Sequence, residues 1–150
     1  MSMADGNKDP LITAWFGVEF QGTIIGAFRE CSGLGSSNDV VEYKASGERG
    51  QYIIKKVPGR LKWNNITLKR GITDAMDMWK WRQLVEQGNL QEARKNGSVV
   101  MFDQAGAEMA RWNFVNAWPT KISGPSANAS NNEVGIEEIE LTTEGYERVR

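Results

Sequence analysis

The chain has 150 residues, a net charge of −1 and 40% hydrophobic residues, which is the composition of an ordinary globular protein. This length predicts one domain that buries its own core without disulfides. The sequence has no histidine and a single cysteine, Cys31, which excludes a disulfide-rich scaffold. Histidine is the side chain that most often serves as general base or metal ligand. We therefore expect no cofactor and no catalytic activity.

The N-terminus predicts a short tail ahead of the domain. Residues 1–9 are polar and are predicted to be flexible, whereas residues 10–150 are predicted to form the single domain. The tail does not resemble a secretory signal. No apolar run reaches the length that crosses a bilayer, so we expect no transmembrane span and no stable membrane anchoring.

The first predicted strands form a hairpin. Leu11–Phe20 and Thr23–Ser32 both alternate in polarity, and the turn between them contains a glycine. Gly33–Asn38 is predicted to be a loop. Its glycines do not indicate a phosphate-binding loop, because no predicted helix follows them.

A long loop is predicted in the next stretch. Val40–Lys44 is a short predicted strand, and Ala45–Gly59 is polar, charged and glycine-containing. Loops of this length inside a compact domain are usually functional or disordered. The loop nevertheless contains Tyr52, Ile53 and Ile54, and such residues need a surface to bury against, for example another subunit.

One helix is predicted after the strand Leu61–Lys69. Asp74 has the chemistry of an N-cap, the helix runs to Gln87, and Gly88 ends it. Its apolar residues cover more than half of the helical wheel. Met78, Trp81 and Val85 form a central stripe, with Trp79 on one side of it and Leu84 on the other. A helix of this kind is predicted to be covered on more than one side. The apolar positions are Ala75, Met76, Met78, Trp79, Trp81, Leu84 and Val85.

The C-terminal half is predicted to be mostly strands. A helical turn within Asn89–Asn96 precedes a hairpin of Ser98–Asp103 and Glu108–Val115, and Trp118–Ser123 forms a further strand after a break at Asn116. Gly124–Asn132 is a predicted loop. The last strand, Val134–Thr143, changes the phase of its alternation, which predicts a bulge near Glu137–Glu138 or a strand covered on both faces.

Several side chains allow a functional and a purely structural interpretation, and the structural one is favoured in each case. Cys31 is interpreted as a small buried residue rather than a reactive thiol. For a set of acidic residues, the functional alternative is a glycosidase-type carboxylate pair. For a cluster on the helix, it is a platform on which nucleic-acid bases stack. For the basic residues 44–62, it is phosphate binding. The carboxylates are Asp103, Glu108, Glu137, Glu138 and Glu140, and the platform would be Trp79, Trp81 and Arg82.

The chain from about Pro10 onward resembles the tail-tube family of contractile phages and phage-like contractile injection systems. The matching segments stand in the order of that family. They are FGVEFQG (16–22), GAFRECSGL (26–34), VVEYKASGE (40–48), KKVPGRLKWNNITLKRG (55–71), WKWR (79–82), ARWNFVNAWPTKISGP (110–125) and EVGIEEIELTTEG (133–145).

The resemblance implies a mainly β fold, a tail-tube-type β-barrel of two packed antiparallel sheets with one flanking helix. In that family six copies form a ring, and the rings stack into a rigid hollow tube inside a contractile sheath. Cargo or DNA passes through the lumen, and baseplate and tube-cap proteins close the ends. The resemblance also implies assembly in the bacterial cytoplasm and a place in a phage tail or in a released or cell-anchored injection particle.

We predict that the long loop, the helix and the acidic last strand meet other subunits. Lys55, Lys56, Arg60 and Lys62 would pair with Glu137, Glu138 and Glu140 of another copy. Two alternatives are a baseplate, tube-initiator or cap relative of the same fold and a monomeric β-barrel that binds a small ligand. The predicted interface residues are Tyr52, Ile53, Ile54, Lys55, Lys56, Arg60, Trp79, Trp81, Glu137, Glu138 and Glu140.

Overall fold

The computed structural model describes residues 14–72, 75–125 and 135–150. The predicted tail 1–9 and most of the predicted loop Gly124–Asn132 lie outside these ranges. The described residues contain ten strands and two helices. They are β1 (Trp15–Phe20), β2 (Thr23–Phe28), β3 (Glu30–Ser32), β4 (Ser36–Ser46), β5 (Tyr52–Trp63), β6 (Ile66–Gly71), α1 (Asp77–Glu86), α2 (Leu90–Ala93), β7 (Lys95–Phe102), β8 (Glu108–Ser123), β9 (Ile136–Thr142) and β10 (Gly145–Arg148).

Eight of these strands form one antiparallel sheet in the order β2-β1-β7-β8-β9-β6-β3, with β10 also pairing with β8. The 16-residue strand β8 joins the two halves, because its first part pairs with β7 and its last part with β9. Asn116, at a positive φ of 49°, lies between these parts. The predicted break at Asn116 is therefore a bend inside one strand.

The mainly β fold with antiparallel strands and few helices confirms the prediction, but the sheet is not closed into a barrel. Among the described strands, β2 pairs with β1 alone and β3 with β6 alone. The predicted strand Thr23–Ser32 is divided at Arg29, whose N–H bonds the carbonyl of Lys69 at 3.0 Å. The chain thus passes from one half of the sheet to the other between β2 and β3.

The two halves of the sheet enclose a common core. Ile66 and Leu68 on β6 lie opposite Leu141 and Ile139 on β9, and all four are fully buried. Phe114 on β8 meets Phe20 edge to face, at 6.0 Å between ring centroids. Each fully buried side chain of this size contributes about 1.5–3 kcal/mol, so this core dominates the stability of the chain.

Helix α1 packs on this core and ends where the sequence predicts. Gly88 follows it at a positive φ of 79°, a conformation that glycine adopts at little cost. The predicted N-cap, Asp74, lies outside the described residues. Met78 and Trp81 are buried, and Arg82 donates to the carbonyl of Pro119 at 2.9 Å. The helix is therefore covered on two sides by its own chain.

The prediction of a loop over Ala45–Gly59 is wrong. Strands β4 and β5 pair with each other from Ser36↔Trp63 to Ser46↔Tyr52 and form a separate two-stranded sheet. The predicted loop Gly33–Asn38 likewise ends earlier, because β4 begins at Ser36. The polar side chains of this stretch favoured a loop in the prediction. The strands form nevertheless, because the hydrogen bonds that pair them are made by the backbone and do not depend on side-chain polarity. We call residues 36–63 the arm and the other described residues the body.

The prediction of a bulge at Glu137–Glu138 is also wrong. Strands β9 and β6 pair without a break from Ile136 to Leu141, and the only irregularity of β9 lies in its pairing with β8, between Pro119 and Lys121. Glu137 points into the core beside Ile139 and Leu141. This orientation explains the change of alternation in the sequence: Glu137 is a buried carboxylate at a position where an apolar residue is expected.

Candidate assembly surfaces

The arm exposes large apolar side chains. The exposed fraction is 80% for Tyr52, 64% for Ile54 and 62% for Val40, and 49% for both Val41 and Tyr43. A two-stranded ribbon alone in water is marginally stable at best, and exposed apolar patches commonly mark contact sites. The arm is therefore the first candidate for a surface that another chain covers.

The register divides the arm into two faces. Residues directly opposite each other share a face, so odd-numbered residues lie on one side and even-numbered residues on the other between positions 40 and 58. The odd face carries Val41, Tyr43, Ala45, Ile53, Lys55 and Val57. The even face carries Val40, Glu42, Lys44, Ser46, Tyr52, Ile54, Lys56 and Pro58.

The base of the arm is held by Tyr146 of β10. Its hydroxyl accepts the N–H of Gly35 at 2.7 Å and lies 3.1 Å from the carbonyl oxygen of Asn64. Its ring meets that of Trp63 at 4.9 Å between centroids. Both ends of the arm are thus bound to the same buried side chain, so the arm leaves the body in a defined direction.

Gly33 is required next to this base. Its φ is +88°, and a Cβ atom there would lie 2.1 Å from the carbonyl oxygen of Asn65. No other residue fits without moving the backbone. Gly33 therefore serves the close packing of the backbone at the base of the arm.

Charge is distributed unequally between the arm and the rest of the chain. The arm has six Lys and Arg residues against three Asp and Glu, a net charge of +3, and the rest of the chain has a net charge of −4. Within the arm Lys56 lies 3.8 Å from Glu42 and Lys62 lies 3.0 Å from Asp39. The described body alone has 11 Lys and Arg residues against 12 Asp and Glu, a net charge of −1, so the arm is the basic part of the described chain.

Two of the predicted interface residues, Trp81 and Glu137, are buried in their own chain, each with 3% exposed. Trp81 donates its indole N–H to the carbonyl of Ala93 at 2.6 Å. Glu137 accepts from Arg70 at 2.8 Å and also from the indole N–H of Trp79. The prediction that Trp81 and Glu137 face another subunit is corrected, because neither has free surface in the folded chain.

Arg70 is the centre of this buried network. Besides Glu137 it contacts the Asp77 carboxylate at 3.2 Å, and its guanidinium lies 5.1 Å from the centre of the Phe28 ring. Burial lowers the pKa of Arg70, but the hydrogen bonds to Glu137 and Asp77 outweigh it and raise that pKa. The network ties α1 to β6 and β9 and is a structural element of the body.

The remaining acidic residues of β9 lie on the outside. We call the outer surface of β3, β6, β9 and the end of β8 the polar face. Cross-strand pairing places Lys69 between Glu30 and Glu138, and Glu140 between Thr67 and Lys121. Of these residues, only Glu140 has a side-chain hydrogen bond within the described chain, from Asn65 at 3.0 Å. The members of the polar face are Glu30, Ser32, Thr67, Lys69, Lys121, Ser123, Glu138 and Glu140.

Several of the groups considered for catalysis, among them Glu108, Glu137 and Cys31, are engaged in ion pairs or in packing. Arg111 bonds Glu19 at 2.9 Å and Glu108 at 2.6 Å, and these bonds hold the pKa of both carboxyl groups below the usual range. Cys31 is partly buried against the core, and this burial raises the pKa of its thiol to about 12. Arg82 and both tryptophans of the proposed stacking platform are bound to their own chain.

The structure also bears on metal, membrane and ligand binding. Within the described residues no group of three or more acidic or cysteine side chains could hold a metal ion. No helix in that part of the chain has the length and apolar character to span a bilayer.

A groove of about 370 Å³ lies beside α1, between Phe20, Ile25 and Leu84, with two lysines at its rim. The groove is open to solvent, and its apolar lining packs against the core.

Sequence reasoning missed Tyr146 and Arg70. Tyr146 lies four residues before the end of the chain, beyond the last predicted strand, and only the fold brings it to the arm. Arg70 had a usable signal: it follows Ile66 and Leu68 at the spacing of an inward-facing residue. An arginine at such a position requires a buried acidic partner, and Glu137 is at the corresponding position of β9.

A family model matches most of the chain. Residues 12–147 match the model of T4-like virus tail tube protein gp19. Among curated proteins, none matches the chain. The family match includes the arm and the polar face.

Solved structures of contractile particles contain similar chains. A chain of the PVC sheath–tube complex, from an extracellular contractile injection system in its extended state, is 25% identical with a TM-score of 0.74, over 99% of this chain and 97% of that chain. A chain of the PVC sheath/tube terminator is 26% identical with a TM-score of 0.70, over 95% and 96%. A chain of the anti-feeding prophage tube-terminating cap is 25% identical with a TM-score of 0.69, over 99% and 98%.

Proposed function

The chain belongs to the family of T4-like virus tail tube proteins, and from this we propose that it is the repeating subunit of the inner tube of a phage tail-like contractile particle. The observation that carries the proposal is the similarity to a chain of a sheath–tube complex along nearly the whole length of both chains. The protein acts by forming a rigid conduit and transforms no substrate.

In the proposed assembly six copies form a ring, and rings stack into a hollow tube. The tube lies inside a contractile sheath and meets cap and baseplate proteins at its ends, as the contents of the related structures suggest. The arm supports the stacking, because it exposes apolar surface beyond the body. Contraction of the sheath then drives the tube through a target envelope. We expect the subunits to assemble in the bacterial cytoplasm.

The polar face is proposed to line the lumen. A wall along which DNA or a protein cargo moves should bind neither tightly, and this face offers alternating Lys, Glu, Ser and Thr side chains. Ile136, 37% exposed, lies at its margin. Its three glutamates outnumber its two lysines, so the wall carries a small negative charge and weakly repels nucleic-acid phosphates.

Salt-sensitive pairs are proposed to add to the subunit contacts. Lys55 and Arg60 on the arm are exposed, and within the described residues neither forms an ion pair. They are proposed to approach exposed carboxylates of another copy that lie outside the polar face. Since exposed pairs contribute only about 0–1 kcal/mol each, assembly should weaken at high salt without being abolished. Tube yield that is identical at low and molar salt contradicts this part of the proposal.

Electron microscopy of the purified chain at increasing concentration tests the proposal directly. Stacked rings or hollow tubes support it. Single rings that never stack favour the alternative of a cap or tube initiator. A protein that remains a 16.8 kDa monomer at all concentrations and salt conditions overturns the proposal and favours the ligand-binding alternative.

Cysteine labelling of assembled tubes tests the lumen assignment. Lys121→Cys introduces an exposed thiol on the polar face, while the native Cys31 reacts slowly because of its raised pKa. We expect the new thiol to react with a small maleimide but not with one on a polymer too large to enter the tube. Equal reaction with both reagents would place this face outside the tube, and reaction with neither would place it in a subunit contact.

A further inference from the structure

We propose that the groove beside α1 is a binding site for a single-chain amphiphilic anion, a molecule with one short alkyl chain and a carboxylate or phosphate at its end. The site lies within one copy of the chain and does not depend on tube formation. The apolar lining of the groove holds the alkyl chain, and the two lysines at its rim hold the charged end.

One side of α1 and residues of three strands form the groove. The four helix residues are spaced three or four positions apart, which places them on the same side of the helix. The volume of about 370 Å³ is within the range of sites for small organic molecules. The groove is lined by Asp77, Lys80, Trp81 and Leu84 of α1, Phe20 of β1, Ile25 of β2 and Lys95 of β7.

The lining of the groove is mostly apolar, and the described side chains do not fill it. Phe20 and Trp81 meet edge to face at 4.9 Å between ring centroids, and because Trp81 is buried this pair lies at the inner side. Ile25 and Leu84 are only partly buried, although both pack against the core. An alkyl chain between them would therefore cover apolar surface that water contacts in the single chain.

The rim carries two cationic groups without an acidic partner among the described residues. Lys80 is exposed and Lys95 is half-buried, and neither forms an ion pair there. The Nζ of Lys95 lies 5.8 Å from the centre of the Phe20 ring, so its charge is held over the apolar wall. The Asp77 carboxylate also lines the groove, but its contact with Arg70 at 3.2 Å offsets its charge. The rim is therefore positive and favours an anion.

The shape of the groove favours a soluble anion over a membrane surface. Electrostatic binding to anionic bilayers normally uses a cluster of about four to eight Lys and Arg side chains. The groove has two lysines, and its apolar lining is recessed between α1 and the strands. Anionic vesicles therefore serve as the test of the other source of the same chemistry.

Decanoate is the probe, and its binding to the unassembled chain is measured by NMR titration below the concentration at which it forms micelles. We expect saturable shifts confined to the residues around the groove. Decylammonium has the same alkyl chain and the opposite charge, and it should bind at least about tenfold more weakly. Vesicles that contain phosphatidylglycerol should not sediment the protein.

Variants separate the two parts of the site. Lys80→Gln/Lys95→Gln removes both charges of the rim and should weaken decanoate binding about tenfold. Lys69→Gln/Lys121→Gln removes one partly buried and one exposed lysine from the polar face and should leave the affinity unchanged. Leu84→Asn should also weaken binding about tenfold, because it replaces part of the apolar wall. If its thermal unfolding shows that Leu84→Asn does not fold, the two lysine variants still decide.

Equal binding of decanoate and decylammonium would overturn the proposal, because the rim would then not select for charge. An affinity that is the same in both double-lysine variants, or shifts that lie away from the groove, would overturn it as well. Sedimentation with anionic vesicles would assign the groove to a membrane surface. Shifts of the same residues on raising the protein concentration without decanoate would assign it to a second copy. None of these results bears on tube formation, which electron microscopy tests without the ligand.

Discussion

The body and the arm are built from the same kind of antiparallel strands, yet they bury their apolar residues differently. In the body, alternate residues of facing strands meet in one core, as Leu68 and Ile139 do. In the arm, apolar residues alternate onto two faces that the chain leaves exposed. The body therefore has the means to fold alone, whereas the large apolar side chains of the arm stay exposed in the single chain. Substitutions in the two regions test this difference.

Truncation of a core residue should separate the two regions most clearly. Phe114→Ala removes a fully buried ring from the body and should lower the free energy of unfolding by about 3–5 kcal/mol. Tyr52→Ala removes an equally large but exposed ring from the arm and should change it by no more than about 0.5 kcal/mol. Urea unfolding of the unassembled chain measures both. Equal losses would show that the arm is part of the folding core.

The buried ion network should be the next most sensitive feature of the body. Glu137→Gln leaves Arg70 with Asp77 as its remaining acidic partner, and we expect a loss of about 3 kcal/mol. The neighbouring change Glu138→Gln, on the polar face, serves as the control and should be nearly neutral. A loss shared equally by the two variants would contradict the opposite orientation of these adjacent carboxylates.

The joint between the body and the arm should give a smaller and more local effect. Tyr146→Phe keeps the buried ring but removes the hydroxyl that binds Gly35 and Asn64, at a cost of about 1–2 kcal/mol. Amide hydrogen exchange should become faster in residues 36–63 of the unassembled chain. Tyr43→Phe, which removes an exposed hydroxyl within the arm, is the matched control. Faster exchange confined to the body would argue against this role of Tyr146.

The smallest expected effect is the acid dependence contributed by Arg111. Because its hydrogen bonds lower the pKa of Glu19 and Glu108, the folded chain protonates these groups less readily than the unfolded chain does. Their stabilisation is complete above about pH 5 and is lost as the pH falls through their folded pKa values. Arg111→Gln should therefore reduce the fall in unfolding free energy between neutral and acid pH. Lys56→Gln on the arm should leave that fall unchanged.

Much of the body could be predicted from local patterns. The alternation of Ile66, Leu68, Ile139 and Leu141 identifies inward-facing positions, and Gly88 marks the end of the helix. These signals are local, because a strand in contact with a core on one side repeats every two residues. The hairpin of β7 and β8 was predicted for the same reason, and α2 lies within the stretch Asn89–Asn96 where a helical turn was predicted.

The arm and the buried network depended on contacts between distant residues. The strands of the arm carry polar residues and glycine, so only their pairing with each other distinguishes them from a loop. Glutamate is usual on surfaces and tryptophan is common at interfaces, so the residue types of Glu137 and Trp81 favour exposure. Both side chains are buried because the fold brings Arg70 to Glu137 and the carbonyl of Ala93 to Trp81. The sequence by itself determined the β composition, the helix end and the family resemblance. Tertiary structure decided which side chains remain free for other copies, because burial is a property of the whole fold.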